Sequence, residues 1–270
     1  MIPAGYHSGR NGSWRSRRDE PSIGGVNEQR TALVTGANKG IGYAIAAGLG
    51  ALGHRVGVGA RDDARREEAV ARLRAEGVDA FGVPLDVTDD TSVAAAARQL
   101  EEAGHGLDVL VNNAGISGDH APDWSQDPTA LDLAEARRVV ETNVFGVVRV
   151  TNALLPLLRR SASPRVVNIS SSVASLTRQA DPDAQSGPVM AVYAPTKSYL
   201  NALTVQYARQ LAGTGVLVNA ACPGLVATDF TGFQAPRTPE QGAVAALRLA
   251  TLPDGGPSGG FFDDEGALPW

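Results

Sequence analysis

The chain has 270 residues, 43% hydrophobic and 20% charged, the make-up of a water-soluble protein and a normal length for one α/β domain. A net charge of −5 argues against nucleic acid as the main partner, and the single Cys222 excludes an internal disulfide framework and fits a reducing, cytoplasmic setting. His7, His54, His105 and His120 are scattered without metal-ligand spacing, so no metal is expected, and no apolar run approaches the ~18 residues of a membrane-spanning helix.

Residues 1–25 are rich in Gly, Ser and Arg and lack apolar periodicity, so they read as a disordered tail. The Arg17–Arg18 pair is not followed by the apolar stretch of an export signal, and Asp19 and Glu20 do not suit a transit peptide. The compact domain is expected over 26–270. "TALVTG" (31–36) is a short apolar strand ending in glycine, and "IGYAIAAGLGAL" (41–52) switches to helical spacing. Strands follow at 54–60, 78–87, 107–115, 164–172 and 215–224. Helices are expected at 65–77, 88–104, continuously over 130–160, and from about 192 to 212. Strands that alternate with helices and are apolar on both faces predict a Rossmann-type, doubly wound parallel sheet with helices on both sides.

Such sheets bind ligands beyond the carboxyl ends of their strands. The first strand-to-helix turn, "TGANKGIG", carries Gly36, Gly40 and Gly42, which allow a sharp turn and close approach of backbone to a pyrophosphate seated on the helix N-terminus. Lysine occurs at only two positions, here at Lys39 and again in "YAPTK" at Lys197. At four residues' separation on one helix face, Lys197 lies beside Tyr193. A phenol has an ordinary pKa of about 10, and an adjacent ammonium favours its ionised form, drawing it toward working pH as a proton donor or acceptor.

"TGANKGIG", "LDV" (85–87), "NNAG" (112–115), "NISS" (168–171), "YAPTK" (193–197) and "PGLVATD" (223–229) stand in the order and spacing of the short-chain dehydrogenase/reductase family, which the chain resembles from Thr31 to its end. "LVTGANKGIG", the "ARD" of residues 60–62 and the terminal "GGFFDDEGALPW" resemble the carbonyl reductases within it. The resemblance implies an NADP-dependent oxidoreductase that reduces a ketone or aldehyde, or oxidises the matching alcohol, with Asn143, Ser171, Tyr193 and Lys197 as the catalytic set. Ser171, selected over Ser170 and Ser172 by its register from Asn168, and Tyr193 would hold the substrate oxygen. The backbone of Asn143 would hold a water in a proton relay, and Lys197 the nicotinamide ribose. Gly36, Asn38, Lys39, Gly40, Ile41 and Gly42 would cradle the cofactor. Asp86 and Val87 would border its adenine, Asn113 its central ribose, and Pro223, Val226 and Thr228 its carboxamide and phosphates. The alternatives are a non-catalytic NADP-binding regulator and an epimerase-like enzyme.

NADP(H) rather than NAD is expected because Ala60 stands where an acidic residue would accept from the ribose, with Arg61 directly after it, Lys39 aimed at the same phosphate, and Arg65 in reach. Asp62 is the competing acidic residue, one position too late for the strand. Trp124, Met190, Phe230 and Phe233, in segments 116–128, 173–191 and 229–239, point to an apolar carbonyl substrate. Cys222 is expected to be a buried small side chain. Between Ser171 and Tyr193 the sequence has 22 positions (193 − 171), against about a dozen in the family pattern. The surplus, "RQADPDAQSGP", predicts an excursion before the Tyr193 helix, and a monomer in preference to a homotetramer if that excursion covers the helical face.

Overall fold

The computed structural model describes residues 29–184 and 187–270. The expected tail, 1–25, lies outside the described residues. Strands β1 (Thr31–Thr35), β2 (Arg55–Ala60), β3 (Ala80–Pro84), β4 (Val109–Asn112), β5 (Arg165–Ile169), β6 (Leu217–Ala221) and β7 (Phe261–Phe262) form one seven-stranded parallel sheet in the order β3-β2-β1-β4-β5-β6-β7. The chain moves outward from β1 to β3, then returns to lay β4 on the other side of β1. The crevice for a ligand therefore opens between the carboxyl ends of β1 and β4.

Apolar residues alternate between the two faces of each strand. In β1, Ala32 and Val34 join one core and Leu33 the other. The first core is closed by α1 (Gly40–Ala51), α2 (Asp63–Ala75) and α8 (Pro239–Ala250), through Ile45, Leu49, Leu73 and Leu249. The second is closed by α3 (Asp90–Glu102), α5 (Gly146–Leu158) and α7 (Tyr193–Gln210), through Leu100, Leu154, Leu158 and Ala208. Both faces are thus covered, which is why the strands read as unbroken apolar runs.

Two expectations are corrected in detail. The region 130–160 is not one helix: α4 (Leu133–Val140) passes into a π-helical turn, Glu141–Phe145, before α5. The third strand ends at Pro84, so that Asp86 and Val87 lie in the turn beyond it. Asp86 Oδ1 accepts from Thr88 N at 2.9 Å and Thr88 Oγ1 at 2.7 Å, which closes that turn, and α3 takes Asp89 as its cap. Helix α8 and strand β7 follow the last strand expected from periodicity. Pro239 opens α8 behind a Thr238–Gln241 capping box, a start signal present in "RTPEQ". The segment between Ser171 and Tyr193 starts with a single 3₁₀ turn (Ser172–Ala174) and the short α6 (Leu176–Gln179); residues 185 and 186 of the surplus lie outside the described residues, and beyond them Gln126 N, in the loop after β4, donates to Val189 O at 2.7 Å.

At the amino end of the sheet, His54 is buried, with Nδ1 on Leu49 O at 3.2 Å and, among the described residues, no hydrogen-bond partner at Nε2. Burial, reinforced by the charge of Arg30, pushes its pKa below the ordinary 6.5. Between that lowered value and 6.5 the unfolded chain holds a proton that the folded chain refuses, so stability falls as pH drops through this window. The urea midpoint should therefore drop more steeply from pH 7.5 to pH 5.5 in the wild type than in His54→Gln; equal drops would show that His54 does not titrate in this way.

Candidate active site

Beyond β1 the backbone turns through Gly36 (φ 64°) and Gly40 (φ 55°), left-handed values that favour glycine. Gly42 is required for another reason: a Cβ there would stand 2.4 Å from both Asn113 Nδ2 and Gly36 O. The space is already taken by a lock between two loops. Asn113 Nδ2 donates to Thr35 O at 2.8 Å, and the buried Thr35 Oγ1 accepts from Asn113 N at 2.9 Å and Ala114 N at 3.0 Å. Asn113, expected beside a ribose, thus has its amide committed to shaping the glycine turn. Helix α1 starts behind Lys39 with no side-chain cap, so the amides of its first turn face the cleft as an anion site.

The residues after β5 meet the start of α7. Ser170 is buried and its Oγ donates to Asn201 Oδ1 at 2.7 Å, while Ser172 is hydrogen-bonded toward Cys222. Ser171, between them, is only half-buried and shares a side-chain hydrogen bond with Tyr193. One turn along α7, the buried Lys197 donates from Nζ to Ile169 O at 2.8 Å and lies 5.7 Å from the Tyr193 ring centroid. Asn143, in the π-helical turn, spends its side chain on the loop after β4: Nδ2 donates to Ile116 O at 2.8 Å and to Thr196 Oγ1 at 3.1 Å, and Oδ1 accepts from Ile116 N at 2.9 Å.

The titration of this cluster differs from expectation. Burial pushes the Tyr193 phenol up from its ordinary value, the neighbouring Cys222 adds to the rise, and the Ser171 hydrogen bond only partly opposes it. Desolvation outweighs the ammonium at this separation, and burial pushes Lys197 itself down to about 8.

At the end of β2, Ala60 is buried and Arg61 exposed. Asp62 caps α2 by accepting from Arg65 N at 2.9 Å, which ties it to that helix. Burial works against the Asp86 carboxylate, but the Thr88 hydrogen bonds and then Arg61 hold its pKa below the ordinary value. Lys39 Nζ lies 2.5 Å from Asp229 Oδ2, a pairing that no local motif signals. Around them a cleft of about 300 Å³ is lined by Asn38, Lys39, Arg65 and Arg72, with Glu68 and Asp229. Of the "PGLVATD" residues, Pro223, Val226 and Thr228 are buried, and Thr228 Cγ2 would be 3.1 Å from a Cβ at Gly40.

On the other side of Tyr193 stands an aromatic stack. The Phe230 ring is 5.4 Å from Tyr193 and 6.0 Å from Trp124, which in turn lies 4.1 Å from His120. Trp124 holds a left-handed backbone (φ 71°), a strained state for a bulky residue. Met190 bridges to Gln126, and Phe233 (φ 60°) is 66% exposed.

The family model for short chain dehydrogenase matches residues 30–238. The chain belongs to the short-chain dehydrogenase/reductase family. It is 35% identical to carbonyl reductase [NADPH] 1 of Rattus norvegicus, over 90% of this chain and 99% of that one. It is 33% identical to short-chain dehydrogenase/reductase 1 of Saponaria officinalis, over 90% and 97%. Among solved structures it is similar to the NADPH-bound carbonyl reductase from chicken fatty liver, with a TM-score of 0.77 and 30% identity over 90% of this chain and all (100%) of that one. Salutaridine reductase from Papaver somniferum gives a TM-score of 0.76 and 31% identity over 87% of this chain. The chain is thus an oxidoreductase of a family that uses a nicotinamide cofactor.

The residues present fit such a cofactor. Lys197 has three N–H donors, of which Ile169 O takes one. Nζ lies 3.5 Å from where a Cβ of Gly115 would stand, so a side chain there would pack against the ammonium. One positioning residue had no motif to reveal it. Gln126 is buried, donates to Ser117 O and Asp119 O at 3.0 Å each, and accepts from Val192 N at 3.0 Å and Tyr193 N at 3.1 Å. It ties the loop after β4 to the first turn of the Tyr193 helix. Gly42→Ala should cost about 1–3 kcal/mol of stability by overpacking against Asn113, and should abolish cofactor binding, as read by denaturant unfolding and calorimetry. A variant that keeps both properties would show that this close approach is unnecessary.

Proposed function

We propose that this protein is an NADPH-dependent carbonyl reductase, reducing an apolar ketone or aldehyde, or oxidising the corresponding alcohol, as a 28.0 kDa monomer in the cytoplasm. The observation that carries the reading is the placement of Ser171, at the carboxyl end of β5, next to Tyr193 and one helical turn from the buried Lys197, across the crevice from the glycine turn. When bound, the nicotinamide supplies hydride to the carbonyl carbon. Ser171 Oγ and Tyr193 hold the substrate oxygen, and charge growing on that oxygen strengthens both hydrogen bonds. Tyr193 gives its proton to this oxygen. Its elevated pKa keeps the phenol protonated at neutral pH, the form a reductase needs. Lys197, pushed down to about 8, is still mainly charged at neutral pH and offers its free N–H groups to a ribose. Asn143 fixes Ile116 and Thr196, and so the spacing between the loop after β4 and α7. Trp124 and Phe230 put apolar rings on the Tyr193 side of the cleft, which suits an apolar carbonyl compound.

The choice of NADP(H) is supported by Arg61, exposed at the end of β2, by Lys39 and Arg65 lining the cleft beside the glycine turn, and by the engagement of Asp62 in capping α2. Relatives named for NADPH agree with it.

Tyr193→Phe should lower turnover of a ketone panel at least ~100-fold, the scale of general acid catalysis, while calorimetry still detects NADPH binding. Substantial residual turnover would remove Tyr193 from the proton-donor role. The double variant Lys39→Ala/Arg61→Ala removes two charge-assisted contacts, each worth about 1.5–3 kcal/mol, so the Kd for NADPH should rise far more than that for NADH. A wild type that uses NADH as well as NADPH would contradict this assignment.

A further inference from the structure

The loop after β6 carries, on two consecutive residues, contacts to the two halves of the cleft. Asp229 is paired with Lys39, both side chains about half exposed, at 54% for Lys39 and 50% for Asp229. The next residue, Phe230, packs against Tyr193 and Trp124. These two residues belong to one 3₁₀ turn, Asp229–Thr231, held by a reciprocal capping box between Thr228 and Thr231. Thr231 Oγ1 also donates to Val226 O at 2.6 Å, and Gly232 closes the turn in a left-handed conformation (φ 54°). Thr228 rests against Gly40, so the turn sits directly on the glycine loop. Braced in this way, the turn moves as a unit: what displaces Asp229 also moves Phe230.

We infer that Asp229 is a specificity-determining residue that couples recognition of the cofactor's ribose phosphate to access of the carbonyl to Tyr193. The inference rests on Lys39 as a phosphate ligand. Lys39 is a single ammonium with two competing anions, the Asp229 carboxylate and the phosphate. A phosphate monoester carries about −1.5 to −2 charges at neutral pH, against one on the carboxylate, and an ammonium, as a point charge, accepts either partner. An exposed ion pair is weak, so the exchange is easily driven. Once Lys39 turns to the phosphate, the 3₁₀ turn loses its tie to the glycine loop and Phe230 leaves the face of Tyr193. A dinucleotide without the phosphate leaves the tie in place. Discrimination between the two cofactors then appears in the opening of the substrate side as well as in affinity.

The test uses the full chain with adenosine 2′,5′-bisphosphate and adenosine 5′-monophosphate as probes. Calorimetric affinities are measured for the wild type, Asp229→Asn, Lys39→Met and the double variant. In parallel, a Trp14→Phe/Trp270→Phe background leaves Trp124 as the only indole. The bisphosphate should bind more tightly than the monophosphate. Asp229→Asn should tighten the bisphosphate about twofold to fivefold, the scale of an exposed ion pair, leave the monophosphate unchanged, and give no gain when Lys39 is already Met. Trp124 emission should change with the bisphosphate and not with the monophosphate, and Asp229→Asn should show the changed emission without ligand. A gain that persists in the Lys39→Met background would mean simple charge repulsion and overturn the inference, as would Trp124 emission that ignores the bisphosphate. Equal affinity for the two probes would instead refute the phosphate reading of Lys39, and the coupling would fall with it.

Discussion

A charged amine buried at the carboxyl end of the sheet is the constraint around which this site is arranged. Lys197 is 4% exposed, and an ammonium taken out of water is costly unless its donors are met. The Ile169 carbonyl, freed because β5 ends there, meets one of them. That contact sets the height of α7 against the sheet, and Tyr193, one turn earlier, is carried to the Ser171 hydroxyl by the same placement. The same burial lowers the pKa of the lysine and raises that of the tyrosine, so the pair is poised as ammonium and neutral phenol.

Polar contacts inside the core hold this arrangement. Asn112 Nδ2 reaches Thr151 Oγ1 at 3.0 Å and Asn168 Oδ1 at 2.9 Å, and Asn168 Nδ2 reaches Thr204 Oγ1 at 2.9 Å. This chain crosses β4 and β5 and ties α5 and α7 to the sheet with directional contacts, where apolar packing alone would let the helices slide. The Asn168 that marks the serine register in the sequence is therefore also a strut under the serine strand.

The loops above the sheet depend on one another as well. Thr35, Gly36 and Asn113 fuse the glycine turn to the segment after β4, Asn143 fuses that segment to α7, and Gln126 joins its far end to the start of α7. The loop after β6 closes the ring through Lys39 and Phe230. Cofactor side and substrate side are thus two faces of one connected set of loops.

Much of this was legible in the sequence. The apolar strands, the glycine turn and the shared face of Tyr193 and Lys197 follow from local spacing, because helix and strand periods decide which neighbouring residues share a face, whereas Ser171 is singled out by its likeness to the family motif. The burial of Cys222 was legible too. The break at Glu141–Phe145, the use of Asn113 as a lock, Gln126 as a strut and the Lys39–Asp229 pair were not, because each depends on a partner distant in the chain. Lys39 and Asp229 are 190 positions apart, and no local pattern links them. The direction of the tyrosine shift is likewise decided outside the local sequence. Sequence placed an ammonium beside the phenol, but only the folded packing decides how much water each retains, and here burial outweighs the charge.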